Sequence, residues 1–151
     1  FLATFPFFVN LSRPSHLGAK AMLSSCVYND QSFPAEWVEL SYQYFKLPNK
    51  KRVIKSMVNT NFSFWGLKNE VFKPIVTQLK NINAPTLVFW GKQDRVLHVD
   101  GAAELKAALP QAKVILMDET GHVPQMEKPE QVAKDYVEWR KSLVTATALA
   151  E

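Results

Sequence analysis

Two residues in this sequence have the type and setting for proton transfer. Asp94 sits in Gly91-Lys92-Gln93-Asp94-Arg95-Val96, and His122 sits in Glu119-Thr120-Gly121-His122-Val123-Pro124. A histidine can act as a general base near neutral pH. A buried carboxylate beside it fixes the tautomer and stabilises the cation that forms. Gly91 and Gly121 precede these residues and are expected to permit the tight turns that aim them inward.

The elements around the pair explain why they should meet. Thr86 to Trp90 is a continuous apolar run bounded by Pro85 and Gly91, and Lys113 to Met117 is a second. Runs apolar on both faces suit buried parallel strands. Between them Asp100 is read as the cap of a helix with Ala102, Leu105 and Leu109 on one face, ended by Pro110. After them Pro129 opens a helix whose expected inner face is Val132, Tyr136, Trp139 and Leu143. Strand, helix and parallel strand make a right-handed βαβ unit. Both loops then leave the sheet at the C-terminal rim, where open α/β sheets collect functional groups. Two strands apolar on both faces still need neighbours, so the sheet is expected to be incomplete.

The preceding region is helical and aromatic-rich. Ser12 is read as the cap of a helix from Arg13 to Cys26, with Pro14 in its first turn. A second helix opens at Pro34 with Trp37, Leu40, Tyr44 and Leu47 inward, and Pro48 and Asn49 start a third with Ile54, Met57 and Val58 inward. Residues 59–66 read as a loop, followed by a helix over 71–79 that contains Pro74. The organisation is therefore a helical region 1–79, a βαβα unit 80–144 and a patternless tail 145–151.

These residues carry a resemblance. Ile82 to Asp94 resembles the pattern i-x-x-P-t-L-v-x-x-G-x-x-D, and Gly121 to Glu130 resembles G-H-x-x-x-x-E-x-P-E, both of the α/β-hydrolase superfamily. The resemblance spans about residues 82–143. It implies the C-terminal part of that fold, with Asp94 as triad acid, His122 as triad base and residues 1–79 as a helical cap or lid. Glu127 and Pro129 are expected to shape the turn into the last helix. The nucleophile elbow G-x-S-x-G is missing: Gly18, Gly66, Gly91, Gly101 and Gly121 include no pair four apart. The resemblance implies a serine hydrolase of esterase or lipase type for the parent protein, acting on a hydrophobic ester-like substrate. The nucleophile would come from an N-terminal half, and this chain alone would be inactive. The alternatives are a truncated, inactive chain that pairs through its sheet edge with a partner or its own copy, and half of an aspartate-nucleophile hydrolase of the dehalogenase or epoxide hydrolase type.

Plainer readings stand beside the sharp ones. His98 reads as a rim or lid contact and His16 as exposed or packed. Cys26 reads as a packed thiol, and Ser24, Ser25 and Ser63 lack an elbow. Aromatics such as Phe33, Trp37, Tyr44 and Phe45 read as core, with a share available to line an apolar pocket over the rim. Lys46, Lys50, Lys51, Arg52 and Lys55 read as a solvated helix face. Three scattered histidines offer no metal-ligand spacing, and no Gly-rich phosphate loop is present, so neither metal nor cofactor is expected. The net charge of +4 comes without a nucleic-acid-binding pattern. The single cysteine fits a reducing, cytoplasmic setting. The apolar opening from Phe1 to Leu11 is too short for a transmembrane segment and lacks the basic start of a leader, which suggests a piece of a longer protein.

Overall fold

The structure is a computed structural model that describes residues 13–63 and 66–148. The opening run, Ser12, Phe64, Trp65 and residues 149–151 lie outside the described residues. In chain order the elements are α1 (His16–Cys26), a 3-10 turn (Asp30–Ser32), α2 (Glu36–Lys46), α3 (Lys50–Asn61), β1 (Phe62–Ser63) and β2 (Gly66–Leu67). They continue with α4 (Asn69–Leu79), β3 (Leu87–Gly91), α5 (Asp100–Ala108), β4 (Lys113–Met117), α6 (Pro124–Glu127) and α7 (Pro129–Ala148).

The C-terminal unit forms as its pattern dictates. β3 and β4 pair in parallel, with Leu87 opposite Lys113 and Gly91 opposite Met117. Both strands therefore end level, and Lys92 N–H carries the ladder one step further to the Met117 carbonyl at 2.9 Å. α5 packs on β4, while α6 and α7 pack on β3. Ala102, Leu109, Ala112 and Met117 are buried between these layers. The sheet has only these two strands among the described residues. Leu87 to Trp90 are only half-buried and Leu116 is exposed. That is the incompleteness the apolar pattern implies.

Several boundaries differ from expectation. α1 is capped by Ser15, whose Oγ accepts from Gly18 N–H at 3.0 Å, so Pro14 precedes the helix. Asp100 is the first residue of α5, not its cap, which is Val99. Residues 59–61 extend α3, and the expected loop closes instead as the β1–β2 hairpin, Phe62 opposite Leu67. α4 begins at Asn69 and accommodates Pro74 inside. Just beyond it Thr77 Oγ1 donates to the carbonyls of Lys73 and Pro74 at 2.9 Å each. α7 runs on to Ala148, past the start of the expected tail.

The face of α2 is the main correction. Trp37, Leu40, Tyr44 and Leu47 are exposed. The half-buried stripe is Val38, Ser41, Tyr42 and Phe45, on a helix packed against α1. Both stripes have helical period and apolar or aromatic members, so periodicity alone does not choose between them. In the last helix Tyr136 is likewise exposed and stacks at a tilt on Trp139, with ring centroids 5.9 Å apart.

Candidate active site

The two rim loops are bound to each other before they position any side chain. Gln93 N–H donates to the Thr120 carbonyl at 3.0 Å, and Thr120 N–H returns a bond to Gln93 Oε1 at 3.1 Å. Gly91 lies where these backbones touch. A Cβ there would stand 2.0 Å from the Gly121 carbonyl oxygen and 2.3 Å from that of Thr120. Gly91 and Gly121 do not adopt positive φ; among the described glycines only Gly66 does. Their role is close backbone approach and not the conformational freedom expected from sequence. Glu119 supplies the positive φ of the histidine loop, at 47°.

Asp94 is held as a fixed acceptor. Its Oδ1 takes Val96 N–H at 2.7 Å and Leu97 N–H at 2.8 Å. Its Oδ2 faces His122 Nδ1 at 2.9 Å. The Asp94 side chain is 5% exposed and that of His122 34%. An ionised carboxylate only accepts, so Nδ1 carries the proton in this pair. That leaves Nε2 with its lone pair free. No protein group among the described residues bonds Nε2, so this nitrogen is able to accept a proton from a group placed beside it.

The histidine backbone is clamped from the helical region, a feature sequence reasoning missed. His122 N–H donates to the carbonyl of Cys26, the last residue of α1, at 2.7 Å. Glu127 bridges the two segments: Oε1 accepts Gly121 N–H at 2.7 Å and Oε2 accepts Tyr28 N–H at 2.6 Å. Glu127 thus does more than shape the turn into α7. Its place in the motif is the only sequence signal that could have pointed to it. A Cβ on Gly121 would lie 2.8 Å from Cys26 O and Tyr28 N, so this junction also requires glycine.

A family profile described as alpha/beta hydrolase fold matches residues 14–129. The chain belongs to the α/β-hydrolase family. Among curated relatives, this hydrolase chain is 35% identical to Lipase 3 of Moraxella sp. (strain TA144), over 52% of this chain and 27% of that protein. It is 30% identical to monoacylglycerol lipase ABHD6 of Homo sapiens, over 74% of this chain and 36% of that protein. In fold it matches the 2-hydroxy-6-oxo-6-phenylhexa-2,4-dienoate hydrolase BphD of Rhodococcus sp. strain RHA1, with a TM-score of 0.71 at 23% identity, covering 93% of this chain and 48% of that one. The α/β-hydrolase chain therefore spans between about a quarter and a half of the length of these proteins.

The remaining candidates of the hydrolase chain fall outside the Asp94–His122 pair. His98 Nδ1 meets Asp100 Oδ2 at 2.9 Å at the exposed start of α5. His16 Nε2 meets Glu39 Oε2 at 2.6 Å, and its ring stacks on Tyr42 with centroids 4.0 Å apart. No group of three or more metal-binding side chains occurs among the described residues. Cys26 is half-buried, and burial pushes its thiol above the ordinary range, opposed by a bond from Ser25 and aided by the Asp94 charge. The thiolate needed for alkylation is therefore scarce at pH 8 in the folded chain. Alkylation by iodoacetamide, followed by intact mass, is expected to be several times slower than in the urea-unfolded chain, and equal rates would contradict the packed assignment.

Glu127→Gln gives a sharper test of the clamp. A glutamine can accept from only one of the two N–H groups and must point its NH2 at the other. Loss of a charge-assisted bond and the new donor–donor contact together cost about 2–3 kcal/mol of stability. Chemical unfolding reads that cost. Hydrogen exchange should quicken first at Gly121, His122 and Tyr28, with β3 and β4 amides less affected.

Proposed function

We propose that Asp94 and His122 are the acid and base of a hydrolase that cleaves an ester or related carbonyl substrate with an apolar body. The observation that carries this reading is the 2.9 Å contact from a buried carboxylate to His122 Nδ1, with Nε2 left open. His122 Nε2 would take the proton of an attacking hydroxyl, give it to the departing alcohol, and then activate water to release the acid. Asp94 would hold the reactive tautomer throughout. Residues 80–144 would be the catalytic C-terminal unit and residues 1–79 a cap over it. Both curated relatives quoted above are lipases by name, which supports ester substrates.

The nucleophile would be supplied from outside this sequence, since no G-x-S-x-G occurs among its 151 residues. The half-exposed apolar strands favour a partner that extends the sheet, either the N-terminal half of the same hydrolase or a second copy. The test combines the purified chain with a nucleophile-bearing N-terminal half and follows a chromogenic short-chain ester. Turnover is expected only in the combination and only with His122 intact. Ester turnover by the purified chain alone would refute the reading of a missing nucleophile.

A further inference from the structure

Consecutive backbone donors hold the histidine loop, and each is taken by a different element. Thr120 N–H goes to Gln93 Oε1, on the loop that carries Asp94, at 3.1 Å. Gly121 N–H goes to Glu127 Oε1, on the last residue of α6, at 2.7 Å. His122 N–H goes to the Cys26 carbonyl at 2.7 Å. That carbonyl lies in the last turn of α1, where a helix leaves its own acceptors unpaired. The imidazole therefore springs from a backbone fixed from several directions.

Two of these anchors lead to one stretch of the helical region, residues 26–28. One is direct, through Cys26. The other runs through Glu127, whose Oε2 accepts Tyr28 N–H at 2.6 Å. Glu127 is half-buried and makes no ion pair among the described residues, so its charge is met by backbone N–H groups. Its own backbone is tied back to the loop, since Glu127 N–H donates to the Val123 carbonyl at 3.2 Å. A carboxylate held this way is a strut between the segment that carries the base and the segment that ends α1. The tolerance it guards is narrow. His122 Nδ1 lies 2.9 Å from Asp94 Oδ2, and a side-chain contact stretched to about 3.6 Å is no longer a hydrogen bond. A drift of the loop by under about 1 Å uncouples the pair.

We propose that Glu127 is a positioning residue for His122. By bridging Gly121 and Tyr28 it keeps Nδ1 on Asp94, and so makes the seating of residues 26–28 a condition for a reactive base. Glu127 bonds neither side chain of the pair and acts through backbone N–H groups alone. The inference rests on the reading of Asp94 and His122 as acid and base, and extends it to the end of α1.

The test is nitrogen NMR of the full chain labelled at histidine, which reads the His122 tautomer with no need of turnover. At a pH where the ring is neutral, Nδ1 of the unsubstituted chain is expected to carry the proton almost exclusively. In Glu127→Ala the loop visits arrangements without the Asp94 bond, and the ring falls to the mixed tautomers of an unconstrained imidazole. Tyr28→Pro should do the same from the helical region, with every residue of both rim loops unchanged. It deletes the N–H that Oε2 holds, and Val27 is already extended at φ −118° and ψ 156°, the conformation favoured before proline. Leu109→Ala is the control, a truncation of a buried side chain just past α5 that lowers stability and should leave the tautomer alone. In the proposed two-part hydrolase Glu127→Ala should lower kcat by about a hundredfold with KM nearly unchanged. Far-UV circular dichroism checks the fold of each variant, and if Glu127→Ala does not fold the decision passes to Tyr28→Pro. An Nδ1–H tautomer that persists in either folded variant would overturn the positioning role and leave the acid and base reading standing. Equal mixing in Leu109→Ala would overturn it as well, by reducing Glu127 to one contributor to stability among others. Mixed tautomers in the unsubstituted chain would overturn both readings together.

Discussion

If Asp94 and His122 are the acid and base proposed above, asparagine at position 94 is expected to lower kcat of the proposed two-part hydrolase by about ten-thousandfold while leaving its fold intact. The reason lies in how the carboxylate is used. Oδ1 faces two donors, the N–H groups of Val96 and Leu97. In Asp94→Asn the amide carbonyl must take that place, because the NH2 group there would meet two N–H groups. The NH2 is then forced toward His122 Nδ1, where the carboxylate Oδ2 stood 2.9 Å away. It can only donate, so Nδ1 must give up its proton and Nε2 must carry one. The base is thereby held in the tautomer that cannot accept. Steady-state kinetics measures the loss, and nitrogen NMR of the imidazole reads the tautomer directly. His122→Ala should cost at least as much, and the double variant should cost little more than the worse single one, since the two groups act as a unit. An Asp94→Asn enzyme with near-normal kcat would refute the acid role.

Gly91→Ala is expected to abolish the native fold. The added methyl would meet three backbone atoms of the histidine loop at 2.0 to 2.7 Å, and none of them belongs to a side chain that can swing away. Relief would require parting the loops and breaking the Gln93–Thr120 bonds, together with the Lys92–Met117 bond beside them. A cost above about 4 kcal/mol is expected, which is a large share of the stability of a domain this size. Gly101→Ala is the matched comparison. Its methyl would meet only the Trp90 ring, at 3.0 Å, and a side chain can yield. Urea unfolding of both variants checks the contrast, and a Gly91→Ala chain as stable as Gly101→Ala would contradict the packing described here.

These two cases show which parts of the molecule were legible in the sequence. β4 falls on Lys113–Met117 as its apolar run implies, and β3 is displaced by a single residue to Leu87–Gly91. Buried parallel strands announce themselves because both faces must be apolar. The approach of Asp94 to His122 followed from the parallel order alone. The helical region was less legible. α2 offers two apolar stripes one residue apart, and the choice between them is made by α1, a contact distant in sequence. The clamp was illegible for a related reason. Glu127 acts on backbone N–H groups at Gly121 and Tyr28, and a backbone donor has no signature in residue type. Gly91 was singled out correctly, yet its physical reason is a neighbouring chain pressing on it.

The pairing of β3 with β4 has one more consequence. Side chains of a strand alternate between faces, so sliding one strand past the other by a single residue exchanges every inward group for an outward one. Here such a slip would also advance one rim loop by a residue, about 3.3 Å, against the other. The 2.9 Å hydrogen bond between Asp94 and His122 tolerates no such offset. Molecules trapped in the neighbouring alignment would keep their helices and much of their compactness and yet lack the Asp94–His122 contact, so yield of helical protein and yield of correctly registered protein are separate quantities for this chain.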